Sequence, residues 1–153
     1  MSIKPGVLDA NVLVYSIDVT AVQHVAARAL VDSARAASVT LYVTSQILCE
    51  FYSIITNPRR VAAPLSAADA LSVLSLLLTF PGLHLLPLPV SAVAEWMALL
   101  QRRPVLGANI YDLQIVATMQ ANGIQRIYTF NTTDFTAFSE LVVVNPQARG
   151  ISL

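Results

Sequence analysis

Short apolar runs rich in β-branched residues alternate with longer segments of helical spacing along the whole chain. This alternation restricts the architecture more than any other feature, because strands separated by helices join most directly as parallel neighbours. Ile3 to Leu8, Thr40 to Thr44, His84 to Leu86, Arg126 to Thr129 and Leu141 to Val144 read as strands. Most are too apolar for either face to meet water, which suits a sheet covered by helices on both sides.

The helical segments have legible ends. Ser45 is positioned to cap a helix running to about Thr56, which Pro58 closes. Ser66 followed by Asp69 forms a capping-box-like pair opening a helix over 67–79, and Ser91 opens another that ends near Arg102, before Pro104. A helix from near Ile110 is closed by Asn122 and Gly123, since glycine accepts the left-handed conformation there. The expected fold is therefore α/β, an α/β/α sandwich with a central, mainly parallel sheet. In such folds the working crevice lies outside the carboxyl ends of the strands.

With 153 residues, no internal repeat and no Gly/Ser linker, the chain is expected to form a single domain over 1–153. A 56% hydrophobic content excludes intrinsic disorder. Cys49 is the only cysteine, so no internal disulfide forms and a reducing cytoplasm is the simplest compartment. The longest uncharged stretch, Ala70 to Ala94, is interrupted by Pro81, Gly82, His84, Pro87 and Pro89 and falls short of a membrane span. Pro5, Gly6 and Asp9 likewise break any signal-peptide core after Lys4. The excess of apolar residues suggests surface buried against a second subunit.

Nine acidic side chains balance nine basic ones, yet several acids fall where strands end or helices begin. Asp9 directly follows Val7-Leu8; Glu50 sits among Ile47, Leu48, Phe51 and Ile54; Asp112 lies in the first turn of the Ile110 helix; Asp134 follows the strand ending at Thr129. Each has a structural reading as well: Asp9 as a helix cap, Asp112 as a partner of the helix dipole, Asp134 as part of a turn. Glu50 is the exception, because an unpaired carboxylate among apolar residues is costly.

Four carboxylates around one crevice would repel by roughly 4 kcal/mol per pair at about 4 Å and an effective dielectric near 20. Shared protons or a divalent cation must offset that repulsion. With oxygen donors and no histidine or cysteine ligand pattern, the cation is hard, Mg²⁺ or Mn²⁺. A hydrated ion of this kind suits phosphate chemistry.

The series Val7-Leu8-Asp9-Ala10-Asn11-Val12-Leu13, Ser45 with Glu50, Gly107 with Asp112, and Thr129-x-Asn131-x-x-Asp134-Phe135 resembles the PIN-domain nucleases, and among them the VapC-like toxins of bacterial toxin-antitoxin modules. The resemblance implies a PIN-like fold and a Mg²⁺- or Mn²⁺-dependent endoribonuclease that cleaves RNA through a metal-activated water. It assigns Asp9, Glu50 and Asp112 to the metal and to catalysis. Asp134 joins them, and Asn131, where the family often has an acid, is a candidate for holding a metal-bound water. Thr129 and Asn11 are expected to line the site. The implied partners are an RNA substrate, a second copy in a homodimer, and a small antitoxin protein blocking the acidic cleft.

Other residues are weighed against these. Arg59-Arg60 and Arg102-Arg103 could hold RNA phosphates, or could simply complement the C-terminal dipoles of the helices they follow. Zero net charge implies locally steered rather than bulk attraction for RNA. His24 and His84 are expected to be structural or surface residues, and Cys49 a packed helix residue. Tyr52, Tyr111, Tyr128 and Phe135 could stack on bases but are more simply core. A haloacid-dehalogenase-like or receiver mechanism is disfavoured, because Asn11 replaces the second aspartate and the only lysine, Lys4, precedes the motif. A P-loop is excluded by the glycine pattern. The remaining alternative is a catalytically inactive PIN-like binding or scaffold protein.

Overall fold

A computed structural model describes residues 2–148, so Met1 and 149–153, the ends of the expected single domain, lie outside the described residues. Five strands form one sheet: β1 (Gly6–Leu8), β2 (Leu41–Thr44), β3 (Leu83–Leu86), β4 (Arg126–Tyr128) and β5 (Val142–Val144). Its spatial order is β3-β2-β1-β4-β5 and every pairing is parallel. All five match runs read as strands from the sequence, each starting or ending within a few residues of the expected position.

Six helices connect them among the described residues: α1 (Ala10–Ile17), α2 (His24–Arg35), α3 (Ser45–Ile55), α4 (Ala67–Leu77), α5 (Ser91–Arg102) and α6 (Ile110–Ala121). Successive crossovers β1→β2→β3 step towards one edge, whereas β3→β4 steps back the other way. Right-handed connections therefore put α1–α4 on one face and α5–α6 on the other. The packing agrees, with α1 against α2 and α3, α3 against α4, and α5 against α6. The expected α/β/α sandwich is what the chain forms. Among the described residues no helix is long and apolar enough to cross a membrane.

The core explains the strand composition. All of β1 is buried, and the α6 segment Ile115–Met119 is buried throughout. In α3 only Ile47, Phe51 and Ile55 are fully turned inward, at i, i+4 spacing. That stripe leaves Cys49 exposed, correcting its expected packed position.

Two helix ends differ from the sequence reading. Thr44, not Ser45, caps α3, its Oγ1 accepting the Ile47 N–H at 3.1 Å; the strand runs straight into the helix, so its last residue is the extended one. Ser91 is the first helical residue of α5, with no side-chain cap before it. The Ser66 cap forms as expected, accepting from Asp69 N at 3.1 Å. Gly123 closes α6 with φ +70°.

Candidate active site

The chain reverses its direction of winding between β1 and β4, and at such a switch point the loops leaving neighbouring strands diverge and open a crevice. Here β1 and β4 are paired in register, Val7 beside Ile127 and Leu8 beside Tyr128. The Asp9 N–H donates to Tyr128 O at 3.0 Å, so the last sheet bond brings Asp9 level with Thr129. Two distant segments thus deliver their polar residues to one place.

A network fixes that junction. Asp9 Oδ1 accepts the Ala10 N–H at 2.8 Å, capping α1, while Oδ2 accepts the Thr129 hydroxyl at 2.8 Å and the Asn11 amide at 3.2 Å. The Asn11 amide also donates to Thr129 Oγ1 at 3.1 Å, and its Oδ1 accepts the Phe130 N–H at 3.1 Å. Thr129 Oγ1 in turn accepts the Asn131 N–H at 3.0 Å. The α1 cap uses Oδ1 of Asp9, and the bonds from Thr129 and Asn11 use Oδ2, so capping accounts for only one of its two oxygens.

α3 leaves β2 and brings Glu50 to the same opening. α6 begins at a 3₁₀ turn, Gly107–Asn109, in which Gly107 adopts φ +57°, and this entry brings Asp112 to the cleft in the first helical turn. A second 3₁₀ turn, Thr132–Asp134, follows β4 and contributes Asp134. The result is a cleft of about 260 Å³ lined by Asp9, Asn11, Glu50, Asp112, Asn131 and Asp134, with Ala10, Ser53, Ile54 and Arg60 completing the wall.

Thr129 is fully buried beneath Asp9 and does not reach the cleft surface, so it holds the carboxylate instead of lining the opening. Arg60, one of the arginines expected as a candidate for RNA phosphates, lines the cleft, whereas Ser53 and Ile54 were not legible as lining residues from the sequence, although Ser53 lies three residues from Glu50 on the same helix. Gln46, one turn before Glu50, donates its amide to Tyr111 O at 2.8 Å and ties α3 to the start of α6.

Electrostatics reflect crowding of like charge in a partly dry place. Burial, followed by repulsion from Asp9 and Asp112, pushes Glu50 up to about 7, against an opposing pull from Arg60. Burial, then Asp134 and Asp9, pushes Asp112 up to about 6. Asp9 is also raised, chiefly by burial, although its hydrogen bonds from Thr129 and Ala10 oppose the shift.

Among the described residues no three acids, histidines or cysteines lie close enough together to hold a metal ion as they stand. An open cradle of carboxylates and one amide nonetheless fits a hard divalent cation that keeps several of its waters. The raised values follow from burial and crowding of like charge, conditions that a bound cation would relieve.

The remaining candidates lie elsewhere. His24 Nδ1 is 2.8 Å from Tyr15 O, and His84 is exposed on the edge strand β3 beside the Tyr42 ring; neither lines the cleft. Tyr128 and Phe135 are core residues, Tyr52 packs against the core, and Tyr111 is exposed.

Comparison with known proteins bears on this arrangement. The fold is similar to VapBC2 from Rickettsia felis bound to a DNA fragment from their promoter, with TM-score 0.62, 18% identity, and coverage of 94% of this chain and 98% of that one. It is similar to VapC20 of Mycobacterium tuberculosis, a sarcin-ricin loop cleaving toxin, with TM-score 0.63, 16% identity, and coverage of 86% and 94%. A toxin-antitoxin complex from Klebsiella pneumoniae matches with TM-score 0.60, 16% identity, and coverage of 92% and 97%. No curated protein matches the sequence. Residues 6–141, which run from β1 to the threshold of β5 and carry all four cleft acids, match the PIN domain model, and the chain belongs to the PIN domain family.

Proposed function

We propose that the protein is a Mg²⁺- or Mn²⁺-dependent endoribonuclease, the toxin of a toxin-antitoxin pair, acting in the cytoplasm as one domain over 1–153. The observation that carries this reading is the convergence of Asp9, Glu50, Asp112 and Asp134, from four separate chain segments, on one cleft at the switch point of the sheet. A solvating role would scatter these acids. Their crowding raises the energy of the cation-free protein and makes sense as a site for a cation. The similar fold of a toxin that cleaves the sarcin-ricin loop supports RNA as the substrate.

Asp9, Glu50 and Asp112 would hold the ion, with Asp134 and Asn131 at the outer side, Asn131 through a water. When bound, the ion supplies neutralisation of the phosphoryl oxygens and a water acidified enough to attack phosphorus. Asp9 contributes rigidity, because the Thr129 and Asn11 hydrogen bonds leave it one orientation. Glu50, displaced from an ordinary 4.5 to about 7 in the cation-free protein, would give up its proton to become a ligand when the ion binds. Ala10 and Ile54 are the apolar residues of the cleft wall.

The partner reading rests on apolar surface. A groove of about 320 Å³ is lined mainly by Val14, Ile17, Val19, Ile55, Val61 and Leu65, of which Ile55 and Val61 are the chain neighbours of the cleft residues Ile54 and Arg60. Such a groove suits an apolar segment of an antitoxin whose basic side chain reaches the acids. Leu88, Val90, Val93 and Met97, exposed before and along α5, suit a second copy in a homodimer.

The test is titration of the purified protein with Mg²⁺ or Mn²⁺, following thermal stability and cleavage of mixed RNA together, with Asp112→Asn as control. Stabilisation and cleavage that both disappear in the variant support the nuclease; stabilisation without cleavage marks a metal-binding scaffold instead. No response in the wild type overturns the reading.

A further inference from the structure

The acidic cleft has one basic side chain among its lining residues, Arg60. The sequence offered two arginine pairs for contact with phosphates and gave no reason to choose. Arg102 pairs with Glu140 at 3.4 Å and the Arg103 guanidinium lies 5.3 Å from the Phe138 ring centroid, so that pair fastens α5 to the segment before β5. Arg60 makes no ion pair among the described residues.

Its backbone is nevertheless held. α3 ends in a turn where Asn57 Oδ1 accepts the Arg59 N–H at 2.9 Å, and Asn57 O accepts the Arg60 and Val61 N–H groups at 2.9 and 3.2 Å. Leu65 N then donates to Ile55 O at 2.8 Å, closing the loop back on α3. The turn carries Arg60 back over the helix that bears Glu50, at the rim of the cleft, with its side chain exposed.

RNA approaching this cleft meets four carboxylates on a chain of zero formal net charge. Without a local cation the approach is repulsive. A guanidinium is the side chain whose planar donor fork matches two phosphate oxygens.

We propose that Arg60 is the phosphate anchor of the cleft, receiving a backbone phosphate of the RNA adjacent to the bond being cleaved. This inference rests on the nuclease reading. Arg60 acts in binding: it registers the strand against the acids and takes no part in moving protons. Removing it also takes a positive charge away from the carboxylates, so cation binding should strengthen while RNA binding weakens. A variant that merely damaged the fold would lose both.

The experiment measures binding of a fluorescent RNA that the wild type cleaves, using Asp112→Asn protein with and without Arg60→Gln across a KCl series. Mn²⁺-linked thermal stabilisation is followed in Arg60→Gln alone. RNA affinity is expected to fall about tenfold, as for loss of one charged hydrogen-bonding partner. The salt dependence should become shallower by about 0.7 to 0.9 in log-log slope, the share of one phosphate. In the active protein KM rises more than kcat falls, Mn²⁺ stabilisation is equal or larger, and Arg60→Lys restores the slope with only part of the affinity. Wild-type affinity and slope in Arg60→Gln overturn the anchor while leaving the nuclease intact. So does joint loss of RNA and Mn²⁺ responses, which would make Arg60 structural. A wild type that neither binds nor cleaves RNA overturns both readings.

Discussion

The hydroxyl of Thr129 donates to Asp9 Oδ2 at 2.8 Å across 120 residues of sequence, and it does so from a fully buried position. The oxygen also accepts the Asn131 N–H, so one side chain fixes an acid of the cleft and the backbone entry to another part of it.

Thr129→Val keeps the shape of the side chain but removes its bonds to Asp9, Asn11 and Asn131. It is expected to destabilise the fold by about 1–3 kcal/mol, the range for leaving a buried partner unsatisfied. It should also weaken Mn²⁺-linked stabilisation, whereas Thr129→Ser retains most of both. Urea melts with and without Mn²⁺ measure this, and a Val variant indistinguishable from wild type would show that Asp9 is held by Asn11 and the Ala10 N–H alone.

The raised acids make the cation-free protein sensitive to pH in a definite direction. Glu50 moves from an ordinary 4.5 to about 7 and Asp112 from 3.8 to about 6, so the folded state holds protons that the unfolded state releases. Their contribution to stability is complete below about pH 4 and is lost as pH rises through 6 and 7. Melting temperature in a chelator should therefore decline from pH 5 to 8 more steeply in wild type than in Glu50→Gln, with Glu50→Gln the more stable at pH 8. Parallel profiles would mean that the Glu50 carboxylate is solvated in the folded protein.

Asp112→Asn removes a like charge and a proposed ligand together. Without a cation it should melt at or slightly above the wild-type temperature at pH 8, and cleavage should disappear. Wild type at about 100 times the dissociation constant for Mn²⁺ should gain about 2.7 kcal/mol, and the variant little. Calorimetric titration beside thermal melts separates these effects, and full activity in the variant would remove Asp112 from the mechanism.

Gly107 enters α6 with φ +57° and open space around it, so an added methyl meets no neighbour and any cost is in the backbone. Gly107→Ala is expected to destabilise the protein by about 1 kcal/mol. Because this turn sets the start of the helix bearing Asp112, cleavage should fall by more than stability alone explains. Cleavage measured well below the melting temperature distinguishes the two effects.

The sequence by itself determined the alternation of strands and helices, and with it the layered parallel fold, because apolar runs and helix ends are read from neighbouring residues. Ser66, Asn122 and Gly123 act where local chemistry places them. It also presented Asp9, Glu50, Asp112 and Asp134 in order, since carboxylates at strand ends and helix starts are visible one at a time. The exchange of the α3 cap from Ser45 to Thr44, and the helix α2, escaped that reading, because strand and helix meet there without a turn and no sharp signal marks α2.

Only the tertiary structure decided what those residues face. Pairing β1 with β4 put Thr129 under Asp9, making it a support where a lining role was expected. The turn after α3 selected Arg60 over Arg102 and Arg103 as the cation at the cleft, and the Gln46 link to Tyr111 tied α3 to α6. Each outcome depends on groups far apart in the chain whose distances are set by strand order and packing. Local sequence carries no record of those distances, which is why the acids and their shared crevice were legible as expectations while the supporting contacts of Thr129, Gln46 and Arg60 emerged only from the fold.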